Sequence, residues 1–346
     1  MRIFSAAQAV SPAIERTKQF LFQDFEIRTY LKLAAVACIY EGFTANIIYA
    51  TGHHFATTIG PEGRPHLSDE MIAILVLAIV AFLALGVILF YLVSCFRFVF
   101  FHCLLHETKE IRPVWNRYRP QAIRYFNGGL MVWIVFAVVG ALIGLPFLPS
   151  LYRLFQSSRN GLEVDDGSFF ALFLPMLLIG FIGSGLAFVI NLVLHDFVLP
   201  HMALENASFG NAWKAARGHI AAQKASFAAY CFLRLLLPAV TLLGLLIFVG
   251  IPLGIIFGTL TMSANGFLEM IDDPTPLGMV FHTVFQILFT VLGVAVGLIV
   301  EFGLGGPVAT WVRSYALLYY GGRYKVLGEQ LSHPPAPAIE GTAEIA

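Results

Sequence analysis

Leu199–Pro238 reads LPHMALENASFGNAWKAARGHIAAQKASFAAYCFLRLLLP and joins one long apolar run to the next. Ser208 is placed to cap a helix running through Asn211 to about Phe227. On that helix Phe209, Trp213, Ala216, Ile220 and Phe227 fall at i, i+4, i+7, i+11 and i+18, one face at about 100° per residue. Lys214, Arg217 and Lys224 lie beside that face. An apolar stripe flanked by Lys and Arg suits a helix lying in a membrane interface on the cytoplasmic side. Trp213, Lys214, Arg217 and Lys224 are therefore the expected interfacial lipid contacts. The alternative is a helix packed on its neighbours as in a soluble protein.

Composition supports the membrane setting. Of 346 residues 58% are apolar and 12% charged, against about 25% charged in a soluble domain. Mean hydropathy is +0.79. The net charge is zero, yet its distribution is uneven. Eighteen of the 21 Lys and Arg fall in four segments: Arg2 to Lys32, Arg97 to Arg124, Lys214 to Arg234, and Arg313 to Lys325. Only Arg64, Arg153 and Arg159 lie in the alternate loops. The positive-inside rule then gives about six spans with both termini cytoplasmic, in a bacterial inner membrane.

The expected spans are Tyr30–Ala50, Met71–Phe101, Tyr125–Leu148, Phe169–Leu199, Ala228–Thr261 and Met279–Phe302. Ser11-Pro12 reads as a cap and first helical residue of a short basic surface helix. Pro113 and Pro120 are expected to break His102–Arg124 into pieces. Pro146 and Pro149 are expected to end the third span, with a loop over Ser150–Gly167. Gly303, Gly305, Gly306 and Pro307 are expected to break the last one. Ala228–Thr261, interrupted by Pro238, Gly250 and Pro252, reads either as one kinked helix or as a tight hairpin. Charge parity favours the single helix.

The fold class is thus all-α, a polytopic membrane helix bundle with amphipathic interfacial helices. A basic segment precedes a membrane hairpin three times, near Tyr30, Tyr125 and Ala228, so three hairpin units are a further expectation. Residues 1–331 form one integral membrane domain, and 332–346 a Pro- and Ala-rich disordered tail.

Ionisable and amide groups inside spans carry the strongest physical claim to function, because charge in lipid is expensive. Glu41, Asn46, Asp196, Arg234 and Glu301 are the candidates. They read either as a polar path for an ion or solute, or as structural pairs and snorkelling side chains. Asp196 and Arg234 border the opening stretch and are placed to brace its two spans. His102 and His106 share a helix face at i and i+4, the weak candidates for a metal. No third ligand motif accompanies them, and no cofactor is expected. His53, His54 and His66 share a loop and read as hydrated side chains rather than a metal cluster. The four cysteines sit in or beside apolar runs with no CxxC pair. GxSxG, HExxH, Walker and dinucleotide-binding motifs do not occur. The basic segments fit anionic head groups, at about 1 kcal/mol per nearby cation, rather than nucleic acid. Expected partners are membrane lipids, anionic ones included, and other membrane proteins.

Three stretches carry a family resemblance. HDFVLPHMALENASFGNAWKAARGHIAAQKASFAAYCFLRLLL (195–237), PVATWVRSYALLYYGGRYKVL (307–327) and TKQFLFQDFEIRTYLKLAAVACIYEG (17–42) resemble signatures of a group of prokaryotic polytopic membrane proteins without an established activity. That group is distantly similar to the membrane domain fused to some glycerophosphoryl diester phosphodiesterases. The resemblance implies a fold and a membrane, and assigns no catalytic residue. The function expected is a non-enzymatic scaffold, accessory subunit or lipid-organising factor. A transporter or channel for a small solute or ion is the alternative, and a cofactor- or metal-binding membrane subunit a weaker one.

Overall fold

The computed structural model describes residues 4–23, 26–38, 69–159, 166–270 and 276–332. Glu41, Asn46 and the histidines of the first loop lie outside them, as do most of the first expected span and nearly all of the tail.

Every regular element among the described residues is helical. In chain order they are α1 (Val10–Phe22), α2 (residues 27–38), α3 (Asp69–His106), α4 (Arg112–Gly144), α5 (Leu148–Arg159), α6 (Asp166–Leu192) and α7 (Leu199–Leu204). Then follow α8 (Phe209–Ala222), α9 (Lys224–Leu245), α10 (Ile251–Met270), α11 (Pro276–Val300), α12 (Gly306–Gly321) and α13 (Lys325–Ser332). Among the described residues five helical runs are long and apolar enough to cross a membrane: Val76–His106, Arg112–Arg153, Phe170–Leu204, Lys224–Leu260 and Thr283–Gly321. The protein is an all-α, polytopic membrane helix bundle.

Proline does not interrupt these runs as expected. Pro113 opens α4 and Pro120 lies inside it. Leu145–Phe147 tightens into a 3₁₀ turn at Pro146, and helix resumes through 148–159 where a loop was expected. At three places the helix instead widens into a π turn: Val193–Val198, Leu246–Gly250 and Glu301–Gly305. Each is followed by a helix with proline second: Pro200, Pro252 and Pro307. A proline offers no N–H to the carbonyl four residues back, and its ring crowds that carbonyl. Widening the preceding turn relieves both problems without ending the helix. Residues 224–270 accordingly form one continuous helical run rather than a hairpin, and the Gly303–Pro307 cluster joins α11 to α12.

Two compact units emerge. The first comprises residues 1–82, 99–111 and 225–346. Here α1 packs along α12, and Thr17 Oγ1 donates to Ser314 Oγ at 3.3 Å. A side chain at Gly306 would meet the Ala34 backbone, its Cβ 2.8 Å from Ala34 Cα, so glycine permits this close approach. The Gly303 carbonyl, which Pro307 cannot serve, accepts from the Tyr30 hydroxyl at 2.6 Å. Tyr230 stacks on Tyr319 and Tyr315, at 4.2 and 5.4 Å between ring centres. Arg323 lies 3.9 Å over Tyr319 and donates to the carbonyls of Tyr319 and Phe4 and to Ser226 Oγ. Arg16 donates to the Leu104 and Leu105 carbonyls at 2.9 and 3.3 Å, closing the exposed C-terminus of α3. Burial works against the Arg16 charge, and Glu107, 3.7 Å away, partly restores it.

Ser11 does not cap α1. The helix begins at Val10, preceded by a reciprocal pair in which Gln8 N–H donates to Ser5 Oγ and Ser5 N–H to Gln8 Oε1. This is the capping-box pattern S-x-x-Q.

The second unit comprises residues 83–98 and 112–224. It holds the buried faces of α4 and α8 and the π turn before α7.

Candidate functional site

The second unit gathers buried polar groups around that π turn. Ser208 caps α8 as expected, accepting from the Asn211 N–H at 3.4 Å. The helix ends at Ala222, however, because Gln223 leaves helical backbone at φ −138°, ψ 53°. Phe227 therefore belongs to α9, and the expected single face stops at Ile220. That face turns inward: Ala212 and Ala216 are fully buried, and Phe209 and Trp213 half-buried. The Phe209 ring fills the space beside Gly128 on α4, where a side chain would collide with it. Tyr125 meets Phe209 edge-on at 6.4 Å. The apolar stripe of α8 thus packs on protein, while Lys214, Arg217 and Lys224 are exposed.

α4 follows the same logic. Val114, Tyr118, Ala122 and Tyr125 recur at i, i+4, i+8 and i+11 and are buried. Arg112, Arg117, Arg119 and Arg124 fall on the two shoulders of that stripe and are exposed. Neither α4 nor α8 contains an acidic residue. Arg124 donates to the Asn206 side chain in the turn before α8. Asn206 holds φ at 51°, a left-handed conformation that asparagine tolerates better than most residues.

The π turn carries His195 and Asp196, each 2% exposed. One turn on, His201 Nδ1 lies 3.5 Å from Glu205 Oε2, and its ring parallels that of His219 at 6.0 Å. The same unit holds Arg97, which is 8% exposed. Its Nη1 donates to the Tyr125 hydroxyl at 3.2 Å and its Nη2 to Asn191 Oδ1 at 3.3 Å. Its Nε is buried without a hydrogen-bond partner among the described residues. Phe98 packs on Tyr118 and Tyr125, fixing the aromatic wall beside it.

Arg97, Tyr125 and Asn191 were not expected as a constellation. The usable signal was a charged residue near the end of an apolar run with no acid nearby in sequence. Of the expected candidates, Asp196 is buried in the second unit and Arg234, at 7% exposure, in the first. Glu301 is the first residue of a π turn. The His102 and His106 rings lie 4.3 Å apart between centres, tilted at 49°, in the first unit, and no group of three or more His, Cys, Asp or Glu placed to hold a metal ion occurs among the described residues.

A helical membrane protein whose buried polar groups cluster beside exposed cations is the class this geometry defines. The chain matches the family of unknown function DUF7544 over residues 4–329 and belongs to that family. The finer likeness to the membrane domain of glycerophosphoryl diester phosphodiesterases is not part of that match. No curated protein and no solved structure matches the chain.

Proposed function

We propose that the protein is a multi-pass component of a bacterial inner membrane, with cytoplasmic termini, that organises anionic lipid and acts as a scaffold or accessory subunit without chemistry of its own. One observation carries this reading: Arg112, Arg117, Arg119, Arg124, Lys214 and Arg217 are exposed on two helices whose opposite faces are locked into a packed core. A rigid helix displaying cations with no acid of its own presents a fixed positive surface. Such a surface attracts anionic head groups by about 1 kcal/mol per cation. Trp213, half-buried beside Lys214, suits the polar–apolar boundary. The test is lipid analysis of full-length protein extracted with its surrounding bilayer by a detergent-free polymer. Wild type is expected to retain more anionic phospholipid than the bulk membrane, and a variant with all six cations changed to Gln is expected to lose the excess. Equal composition in both, or turnover of lipid by the purified protein, defeats the proposal.

A second reading, a transporter or channel for a small solute or ion, is favoured by a separate observation. Asp196 and Glu301 each lie in a π turn, a distortion often found at functional sites. Liposome flux that is present in wild type and lost in Glu301→Gln and Glu41→Gln would favour this reading over the first.

A further inference from the structure

Arg97 is a buried guanidinium held by two neutral partners. It makes no ion pair among the described residues, and its partners are the Tyr125 hydroxyl and the Asn191 amide oxygen. Arginine carries a fixed charge, and burying such a charge without a counter-ion is unfavourable. Two long N–H contacts at 3.2 and 3.3 Å and one unsatisfied N–H offset little of that. The guanidinium fork suits an oxyanion, and phosphate above all, because parallel N–H groups match its oxygens.

Depth identifies the source. α3 leaves its acidic end at Asp69 and Glu70 and enters an apolar run at Met71. About 20 residues cross the hydrocarbon, which brings the chain to about Tyr91. Arg97 stands roughly 9 Å further along the helix, at 1.5 Å per residue. That is beyond the hydrocarbon, on the head-group side. Arg117, Arg119 and Arg124 of the same unit are exposed on α4, the helix that supplies Tyr125.

We infer that Arg97, with Tyr125 and Asn191, is a recognition site for one phosphate group, supplied by the head group of an anionic phospholipid. This rests on the lipid reading above and narrows it from a diffuse surface to a single bound molecule.

The experiment uses the full chain in nanodiscs of phosphatidylcholine with or without phosphatidylglycerol, with bound lipids counted by native mass spectrometry. Wild type is expected to hold one phosphatidylglycerol with about tenfold preference, the weight of roughly one charge-assisted hydrogen bond. Arg97→Gln is expected to abolish the preference. Asn191→Asp guards against a variant that merely unfolds, because it places a carboxylate where the Asn191 oxygen already meets Arg97. It is expected to melt higher than wild type in phosphatidylcholine alone and to hold no selected phosphatidylglycerol. A titration with inorganic phosphate in neutral detergent separates the sources. A melting rise with inorganic phosphate in wild type, absent in Asn191→Asp and unmatched by phosphatidylglycerol, would keep the phosphate site but overturn its assignment to a lipid. Equal phosphatidylglycerol preference in wild type and both variants, or no response to either phosphate source, overturns the site itself. The six exposed cations are untouched in these variants, so the bulk anionic excess is expected to persist. Its loss only in the six-cation variant keeps the two proposals separately testable.

Discussion

The long helices differ sharply along their own lengths. In α3, Leu77 and Phe82 are 70% and 61% exposed, whereas Phe98, Phe100, Phe101 and Leu104 are fully buried. In α4, Tyr118, Ala122 and Tyr125 are buried, while Met131 and Leu142 stand open. The run from α6 to α7 repeats the pattern, from Phe181 at 76% exposure to buried Leu199 and Met202. In these three helices the segment rich in polar and aromatic groups is packed on protein, and the largely apolar remainder is not. Lipid tails are as apolar as leucine, so burial gives mid-span helices no hydrophobic reason to associate. The polar ends, with aromatic rings and hydrogen-bonding groups, have every reason to do so.

Substitutions test that difference in descending order. Tyr230→Ala removes the centre of a three-ring stack and is expected to destabilise the first unit by about 3–5 kcal/mol, read as thermal or denaturant unfolding in neutral detergent. Gly306→Ala drives a Cβ into the Ala34 backbone and is expected to cost about 1–3 kcal/mol. Gly254→Ala, where nothing lies within 4 Å, is the matched control and should be silent. Ser208→Ala deletes the α8 cap and is expected to cost about 1 kcal/mol, seen as a lower melting point with helix content nearly kept. Phe248→Ala trims a side chain that is 80% exposed and is expected to change stability by less than about 0.5 kcal/mol. A large effect there would mean that the span is covered in the membrane.

Much of this was legible in the sequence. Run lengths gave five of the six expected spans, the first lying mostly outside the described residues, and Ser208 gave the cap. The periodicity from Phe209 to Ile220 marked the apolar face of α8, but the favoured reading set that face against lipid and the structure packs it on α4. Pro113, Pro120, Pro146, Pro149 and Pro307 were misread because proline's local rule allows two outcomes. The missing donor at Pro200, Pro252 and Pro307 ends a helix in water, where peptide groups find other partners. In an apolar run the helix widens instead, since an open turn would leave backbone groups unsatisfied. Gln223 carries no breaker signature, so the end of α8 was not visible. Ser5 and Gln8 form a recognisable capping box that the reading passed over in favour of Ser11-Pro12. Arg97 was counted as one cation among many. Only its three-dimensional setting, with Tyr125 on α4 and Asn191 at the end of α6, separates it from the exposed arginines nearby.

The contrast between packed ends and open spans is tested most directly by spin-label accessibility. Single labels would be placed at Leu142, Phe181 and Phe248, and for comparison at Ala122 and Ala216, in full-length protein with its native cysteines replaced by alanine. In phospholipid vesicles the three span labels should be mobile and broadened by oxygen, which concentrates in lipid. The two core labels should be immobile and shielded from both oxygen and a water-soluble relaxant. Span labels that are immobile and shielded would contradict the account, because they would show those faces packed on protein rather than bathed in lipid.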